Sequence, residues 1–142
     1  MIIADDLKDK WEQLSSIGQP GLMEALSIRI TRIDHGCIEA SMPVSPAVKQ
    51  PFGLLHGGAS VALAETVSSL GSWMLIDTDH QKAVGLEINA NHIRPVRTGS
   101  VYATATILHH GSKTHVWQTE IRNDDSELVC ISRCTTAILS NH

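Results

Sequence analysis

The sequence lacks the patterns that mark several large classes of protein. Lysine and arginine never form a run and the formal net charge is -4, whereas a nucleic-acid-binding domain usually carries a basic patch. No stretch approaches the ~18 consecutive apolar residues of a membrane span, and residues 1–10 contain no signal-peptide core. We therefore expect a cytoplasmic protein that binds neither nucleic acid nor membrane.

Metal, disulfide and nucleotide motifs are also missing. The three cysteines are an odd number, and Cys130 and Cys134 lie four residues apart in a predicted strand. That spacing is about 13 Å, too far for a disulfide or a shared metal. No histidine pair has metal-ligand spacing with carboxylate support, and there is no P-loop, dinucleotide fingerprint or G-x-S-x-G elbow. We expect no metal and no cofactor.

What the chain does contain is enough apolar sequence for a core. Its 142 residues, 42% of them hydrophobic, fit a single domain over residues 1–142 without repeats or linkers. Charged residues make up 18%, below the usual ~25% of soluble domains. This deficit favours an oligomer that buries part of the surface.

The periodicity of apolar residues predicts an α+β fold. A short amphipathic helix at residues 5–15 ends before Gly18, Pro20 and Gly21, and strands at 26–33 and 37–42 form a hairpin. Residues 59–76 are apolar on nearly every face, which is typical of a buried helix. Strands at 83–93, 100–109, 113–122 and 127–139 follow as an antiparallel meander. An antiparallel sheet wrapped around one long buried helix satisfies this order.

The strand at residues 83–93 has a marked alternation. Val84, Leu86, Ile88 and Ala90 share one parity, and His92 continues it, so all five are predicted to face the long helix. A histidine in that position either lines a substrate pocket or is a satisfied core residue.

His56-Gly57-Gly58 leads directly into the long helix. Free backbone N–H groups at a helix N-terminus bind negative charge, and glycine lets a ligand approach the backbone closely. A developing oxyanion on a thioester carbonyl is a suitable guest. The alternative is that the two glycines only make a tight turn.

Glu65 lies two turns into this apolar helix, where a carboxylate is costly to bury without a function. Ser68 and Ser69 follow, and Ser69 at i+4 shares its face, so it can position the carboxylate or a water. Gly57 and Glu65 are separated by about 12 Å along the axis. Either a site uses only one of them, or two subunits supply one each across a two-fold axis.

These motifs resemble the Glu-type branch of the hotdog-fold acyl-CoA thioesterases. The resemblance rests on QPFGLLHGGASVALAE at residues 50–65, VGLEINANH at 84–92 and GSKTHVWQ at 111–118, and it covers most of the chain beyond residue 20. It implies the hotdog fold and hydrolysis of an acyl-CoA by Glu65, as nucleophile or general base. Gly57 would donate its N–H to the thioester oxygen, Gln50 and His56 would orient and polarise that group, and Ser69 would hold the water.

The resemblance also implies a substrate and an assembly. The expected substrate is an aromatic acyl-CoA, with 1,4-dihydroxy-2-naphthoyl-CoA of menaquinone synthesis first, and coenzyme A enters only as part of it. Active sites would lie between the subunits of a homo-oligomer, expected as a dimer of dimers. The residues expected to bind the substrate are His92, Ser68, Arg94, Gly111, Ser112 and Lys113. For the basic residues among them, the alternative is that they are ordinary solvated surface charges.

Three alternatives stay open from the sequence. The substrate can be an aryl carrier protein thioester or a phenylacetyl- or hydroxybenzoyl-CoA. A hotdog dehydratase would use His56 in place of Glu65. A non-catalytic acyl-CoA-binding domain is the third, although a binding pocket alone gains nothing from Glu65.

Overall fold

The structure, a computed structural model, describes residues 1–18 and 21–141. Strand β1 (Ile2–Ile3) and a 3-10 turn (Asp5–Leu7) precede helix α1 (Lys8–Ser15). Helix α2 (Leu22–Ala25) leads into the hairpin of β2 (Arg29–Asp34) and β3 (Cys37–Pro43). After a 3-10 turn at Pro46–Val48 comes the long helix α3 (Gly57–Leu75), followed by β4 (Gln81–His92), β5 (Ser100–His110), β6 (Thr114–Asn123) and β7 (Leu128–Ser140).

The strands form one seven-stranded sheet in the order β1-β2-β3-β5-β6-β7-β4. All neighbours are antiparallel except β1, which pairs parallel with β2. The expected four-strand meander is wrong for β4, which pairs with β7 at the sheet edge while β5 joins β3. Helix α3 packs on the inward face of β3 to β7, and this is the hotdog fold.

The first strand of the hairpin begins later than predicted. Residues Leu22–Ala25 form α2 and Ser27 has a φ of +55°, so β2 starts at Arg29 and not at Leu26. The alternation of Leu26, Ile28 and Ile30 predicts a strand, but Leu26 ends the helical turn. Pro20, expected to break the first helix, lies outside the described residues.

A ladder of hydroxyl groups joins α3 to the sheet. The indole N–H of Trp117 donates to Ser72 Oγ at 2.8 Å, and Ser72 Oγ lies 2.7 Å from Thr136 Oγ1. Trp117 is completely buried beneath Gly71, where a Cβ would approach its ring to 2.4 Å. Buried polar groups need such partners, so these contacts fix the rotation of α3 about its axis.

Helix α1 is tied to the end of α3 by Lys10. Its ammonium group donates to the carbonyl oxygens of Met74 and Ile76 and lies 5.5 Å from the ring centre of Trp73. A cation at a helix C-terminus satisfies carbonyls that have no intrahelical partner. Partial burial lowers the pKa of Lys10, an effect that the charge of Asp77 opposes.

Strand β4 contains a bulge that the sequence pattern did not predict. Gly85 pairs with Thr136 and Glu87 with Thr135, so Leu86 is an extra residue without a partner in the ladder. The bulge shifts the parity of the strand, and the prediction that Val84 and Leu86 face the helix is wrong, since they are 44% and 65% exposed. Ile88, Ala90 and His92 face inward as expected, opposite Cys134, Ser132 and Cys130.

Candidate active site

The N-terminus of α3 opens into a cleft of about 330 Å³. Gly57 is the first helical residue, so its N–H is one of the four amides that lack an intrahelical carbonyl partner. The cleft is lined by Gln50, Leu54, Leu55, Gly57, Ser60, His92, Ile93, Arg94, Pro95 and Val129. It therefore brings together four of the sequence-predicted site residues at the positive end of a helix dipole.

His56 caps α3 from the position before Gly57. Its Nδ1 accepts a hydrogen bond from the Gly58 N–H at 2.8 Å, so in the neutral ring the proton resides on Nε2. The ring is exposed and can donate through Nε2 to a bound carbonyl oxygen. This arrangement suits polarisation of a thioester and does not suit the dehydratase alternative, in which the ring must accept a proton.

Gln50 is oriented by the loop that precedes α3. Its side-chain oxygen accepts from the Phe52 N–H, and its backbone N–H donates to Leu54 O at 2.8 Å. Because the oxygen is occupied, the amide nitrogen is the end that is left to donate into the cleft. Gly53, with a φ of +81°, makes the turn that allows this.

His92 lies directly against Gly57. A Cβ on Gly57 would come within 2.7 Å of His92 Nε2, so only glycine leaves room for the ring. The prediction that His92 faces the helix is confirmed, and the ring forms a wall of the cleft. Any side chain at position 57 would displace the His92 ring and would itself obstruct the approach of a ligand to the N-terminus of α3.

Glu65 lies in a second cleft, of about 500 Å³, farther along α3. The carboxylate is half-buried and not enclosed as predicted, because Leu22 of α2 and Gly85 of β4 cover this side of α3 only in part. Ser69 shares the cleft, as the i+4 spacing predicts, and the lining consists of Leu22, Gly58, Val61, Ala62, Glu65, Thr66 and Ser69. Among these lining residues, Glu65 supplies the one carboxylate of an open and largely apolar groove.

Ser68 does not share that cleft. It is completely buried, and its hydroxyl lies 3.3 Å from Thr119 Oγ1 on β6, so the structure places this predicted residue in the core and not with Glu65 and Ser69. Nearby Cys134 is buried too, and burial together with the charges of Glu65 and Glu87 raises its pKa to about 11. The thiol stays protonated at neutral pH and does not compete with Glu65 as a nucleophile.

The residues proposed to bind phosphates do not meet in one chain. Thr114, next to the turn Gly111-Ser112-Lys113, pairs with Ala137 on β7. The Arg94 N–H instead bonds to Val129 O, eight residues away along the same strand and so about 26 Å distant. Arg94 also forms an ion pair with Glu127 at 3.4 Å. If both regions bind one coenzyme A, they must come from different subunits.

The turn at 111–113 lies beside a buried histidine. His115 is 1% exposed, its Nδ1 has no partner among the described residues, and its ring contacts that of His110 edge-on at 4.6 Å. Burial, together with the charges of His110 and His109, lowers the pKa of His115 to about 4.

We expect His115 to make the protein sensitive to acid. Because the unfolded chain takes up this proton near pH 6.5 and the folded chain only near pH 4, the free energy of unfolding falls by up to about 3 kcal/mol across that interval. Denaturant unfolding from pH 7 to 4 measures it, and His115→Gln should flatten the slope. As a control, His80→Gln should not flatten it, since the hydrogen bond to Asp77 raises the pKa of His80.

Two residues that the sequence interpretation did not include contact the parts of the chain that form these clefts. Arg97 donates to Phe52 O at 3.4 Å, in the loop that also holds Gln50 and Leu54 of the first cleft. Its only sequence signal is the spacing of Arg94 and Arg97 across a Pro-Val pair. Gly85 lies against the Glu65 carboxylate, a contact that depends on the β4 bulge and has no sequence signal of its own.

Comparison with known proteins agrees with this geometry. Residues 52–130 match the thioesterase superfamily. The chain belongs to this family. The thioesterase is 48% identical over 128 residues to the 1,4-dihydroxy-2-naphthoyl-CoA hydrolase of Escherichia coli K12, covering 90% of this chain and 93% of that protein. It is 40% identical over 126 residues to the proofreading thioesterase EntH of Klebsiella pneumoniae, covering 89% and 91%.

The backbone also matches those of solved thioesterase structures. A crystal structure of a mutant thioesterase from Pseudomonas aeruginosa superimposes with a TM-score of 0.87 at 44% identity, covering 92% of this chain and 94% of that one. The protein is therefore a thioester hydrolase with the hotdog fold.

Two kinds of feature are missing from residues 1–18 and 21–141. These residues contain no cluster of three or more histidine, cysteine, aspartate or glutamate side chains able to hold a metal ion. Nor do they contain a helix long and apolar enough to cross a bilayer.

Proposed function

We propose that this thioesterase hydrolyses an aromatic acyl-CoA, first of all 1,4-dihydroxy-2-naphthoyl-CoA, in the cytoplasm. The similarity to the Escherichia coli hydrolase of that ester supports the choice of substrate. The observation that carries the mechanism is the division of the candidate residues between two clefts on one helix. Gln50 and Gly57 line the first, and Glu65 and Ser69 line the second.

A single chain does not bring these groups to one carbonyl. Gly57 and Glu65 are eight residues apart on α3, or about 12 Å along the axis. A carboxylate that attacks a carbonyl carbon must lie within about 3.5 Å of it, and the oxyanion donors must be equally close. We therefore place Glu65 of one subunit opposite Gly57 of another, in a homodimer with two equivalent sites, and expect two such dimers in a tetramer.

In this site the thioester oxygen accepts hydrogen bonds from the Gly57 N–H, the Gln50 amide and His56 Nε2–H. These donors and the positive end of α3 stabilise the negative charge that develops on that oxygen. As general base, Glu65 removes a proton from a water held by Ser69, and the resulting hydroxide adds to the carbonyl carbon. The C–S bond then breaks, the proton passes from Glu65 to the leaving sulfur, and the products are the coenzyme A thiol and a carboxylic acid. As nucleophile, Glu65 instead bonds to the carbonyl carbon and displaces coenzyme A as the thiolate. A water then cleaves the mixed anhydride to the carboxylic acid, restores the Glu65 carboxylate and supplies the proton that the thiolate takes up.

The lining and charge of the two clefts support a substrate whose acyl group lies in the Glu65 cleft and whose coenzyme A phosphates lie near the Gly57 cleft. Leu22, Val61 and Ala62 give the Glu65 cleft an apolar lining, which suits an aromatic acyl group. Arg94 lines the Gly57 cleft and Arg97 contacts the loop that holds Gln50, where the phosphates of coenzyme A would find cations. Lys113, with Gly111 and Ser112, would meet those phosphates from the other subunit.

Release of free thiol from a panel of acyl-CoA esters tests the proposal. We expect kcat/KM for the dihydroxynaphthoyl and hydroxybenzoyl esters to exceed that for aliphatic esters of similar size by about tenfold or more, since a pocket discriminates by shape and buried area. Faster hydrolysis of aliphatic esters would contradict the aromatic assignment.

A second candidate substrate is an aryl carrier protein thioester, favoured by the 40% identity to EntH. Both substrates end in a phosphopantetheine thioester and would use the same Glu65. The same aryl group presented on coenzyme A and on its carrier protein separates the two, because a carrier specialist would show the higher kcat/KM with the protein-bound ester.

A further inference from the structure

The carboxylate of Glu65 lies against a backbone position on β4 that carries no side chain. A Cβ on Gly85 would lie 2.9 Å from Glu65 Oε1, closer than real Cβ contacts allow. The inward neighbours of Gly85 along the strand, Ala83 and Ile88, do carry side chains. Gly85 therefore leaves a recess in the inward row of β4, and the carboxylate occupies it.

The bulge explains why the recess is at this place. Leu86 is the extra residue, so Gly85 still faces inward opposite Thr136 while Ile88 resumes the inward row beyond it. Gly85 does not need the left-handed region, since its φ is not among the positive values that four other glycines adopt. Backbone conformation therefore does not demand glycine here, and the contact with Glu65 is the remaining reason for it.

We propose that Gly85 is a positioning residue that sets the place of the Glu65 carboxylate. Gly85 has no side chain, so it leaves space for the carboxylate. Helix α3 places Glu65 above β4, and Oε1 lies against the backbone of the strand at this position. This rests on the proposed role of Glu65. A bulge beside a reacting group, re-aiming a side chain, is a common use of this irregularity.

The contact predicts an unusual pair of effects for Gly85→Ala. The added methyl group meets the far end of a flexible side chain, so the carboxylate yields and the fold does not. Glycine inside a strand weakens it, so alanine should leave the unfolding temperature unchanged or slightly higher. The displaced carboxylate should lower kcat by about 10- to 100-fold, because small misplacements of a reacting group are costly.

The experiment measures kcat, KM and unfolding temperature for the wild type, Gly85→Ala, Gly85→Ser and Gly21→Ala with one aromatic acyl-CoA. Gly21→Ala is the matched control, since a Cβ there meets none of the described residues within 4 Å. We expect both Gly85 variants to lose kcat with little change in KM or unfolding temperature, and the control to match the wild type. A wild-type kcat in either folded Gly85 variant would overturn the proposal.

A double-mutant cycle with Glu65→Gln tests whether Gly85 acts through the carboxylate. If it does, adding Gly85→Ala to Glu65→Gln lowers the residual rate little further, whereas independent effects would multiply and contradict the proposal. The same data distinguish failure of the proposed mechanism from failure of the positioning role. Full activity in Glu65→Gln would contradict the proposed mechanism itself. An inactive Glu65→Gln together with a fully active Gly85→Ala would contradict only the positioning role of Gly85.

Discussion

Glu65→Gln and Glu65→Ala should lower turnover of an aromatic acyl-CoA by about a thousandfold or more. They remove the carboxylate that the described residues place in the second cleft, and groups that act as nucleophile or base contribute effects of this size. Since Glu65 is half-buried and has no ion-pair partner among the described residues, the fold and the oligomer should be unaffected. Thiol release measures the rate, and size-exclusion chromatography measures the assembly.

A matched control is Glu12→Gln, which changes an exposed glutamate on α1 in the same way. It should keep wild-type kcat and KM. Retained turnover in Glu65→Gln, with Glu12→Gln also active, would remove Glu65 from the mechanism and return attention to His56. Loss of the oligomer in Glu65→Gln would instead show that the carboxylate holds the subunits together.

Mixing two inactive variants should restore activity. If each site combines Glu65 of one subunit with Gly57 of another, a heterodimer of Glu65→Gln and Gly57→Val contains one intact site and one doubly altered site. Random reassembly at equal concentrations makes half of the dimers mixed, so activity should recover to about a quarter of the wild-type value. The isopropyl group that Gly57→Val adds would meet His92 and block the approach to the helix N-terminus, which makes this variant inactive alone.

The mixture must be unfolded and refolded together so that the subunits exchange, and each variant refolded alone is the control. Recovery far above the sum of the two controls is the expected result. If the activity of the mixture only matches that sum, Glu65 and Gly57 of different subunits do not form a common active site. The proposal that each site combines residues of two chains would then be wrong.

Much of the fold was predictable because the signals for it are local. The bounds of α3 and of β4 to β7 lie within two residues of the prediction, since apolar periodicity and the turns at Gly111-Ser112 and Asn123-Asp124-Asp125 mark them directly. The position of β4 was not predictable in this way. Its alternation is satisfied by pairing with β5 or with β7, and only the packing of α3 across the sheet selects the edge next to β7.

The site was predictable in its chemistry and not in its arrangement. A carboxylate in an apolar helix and an amide-rich helix N-terminus are visible as residue types, and their spacing along one helix already separates them. Ser68 and Ser69 look alike in the sequence, yet Ser68 bonds to Thr119 in the core and Ser69 lies in the cleft. A serine hydroxyl is tolerated both in the core and in a cleft, so only the rotation of α3 about its axis decides which of the two serines lies in the cleft.

The sequence alone determined the α+β fold class and the spacing of Gly57 and Glu65 along one helix, because these depend on residue types and on distances along single elements. Its resemblance to the acyl-CoA thioesterases supplied the thioester chemistry. The tertiary structure decided which side of α3 stays open, which end of the sheet holds Lys113 and which holds Arg94, and where β4 bulges. Those features arise from contacts between residues distant in the chain. The recess at Gly85 that holds the Glu65 carboxylate exists only once such contacts have formed.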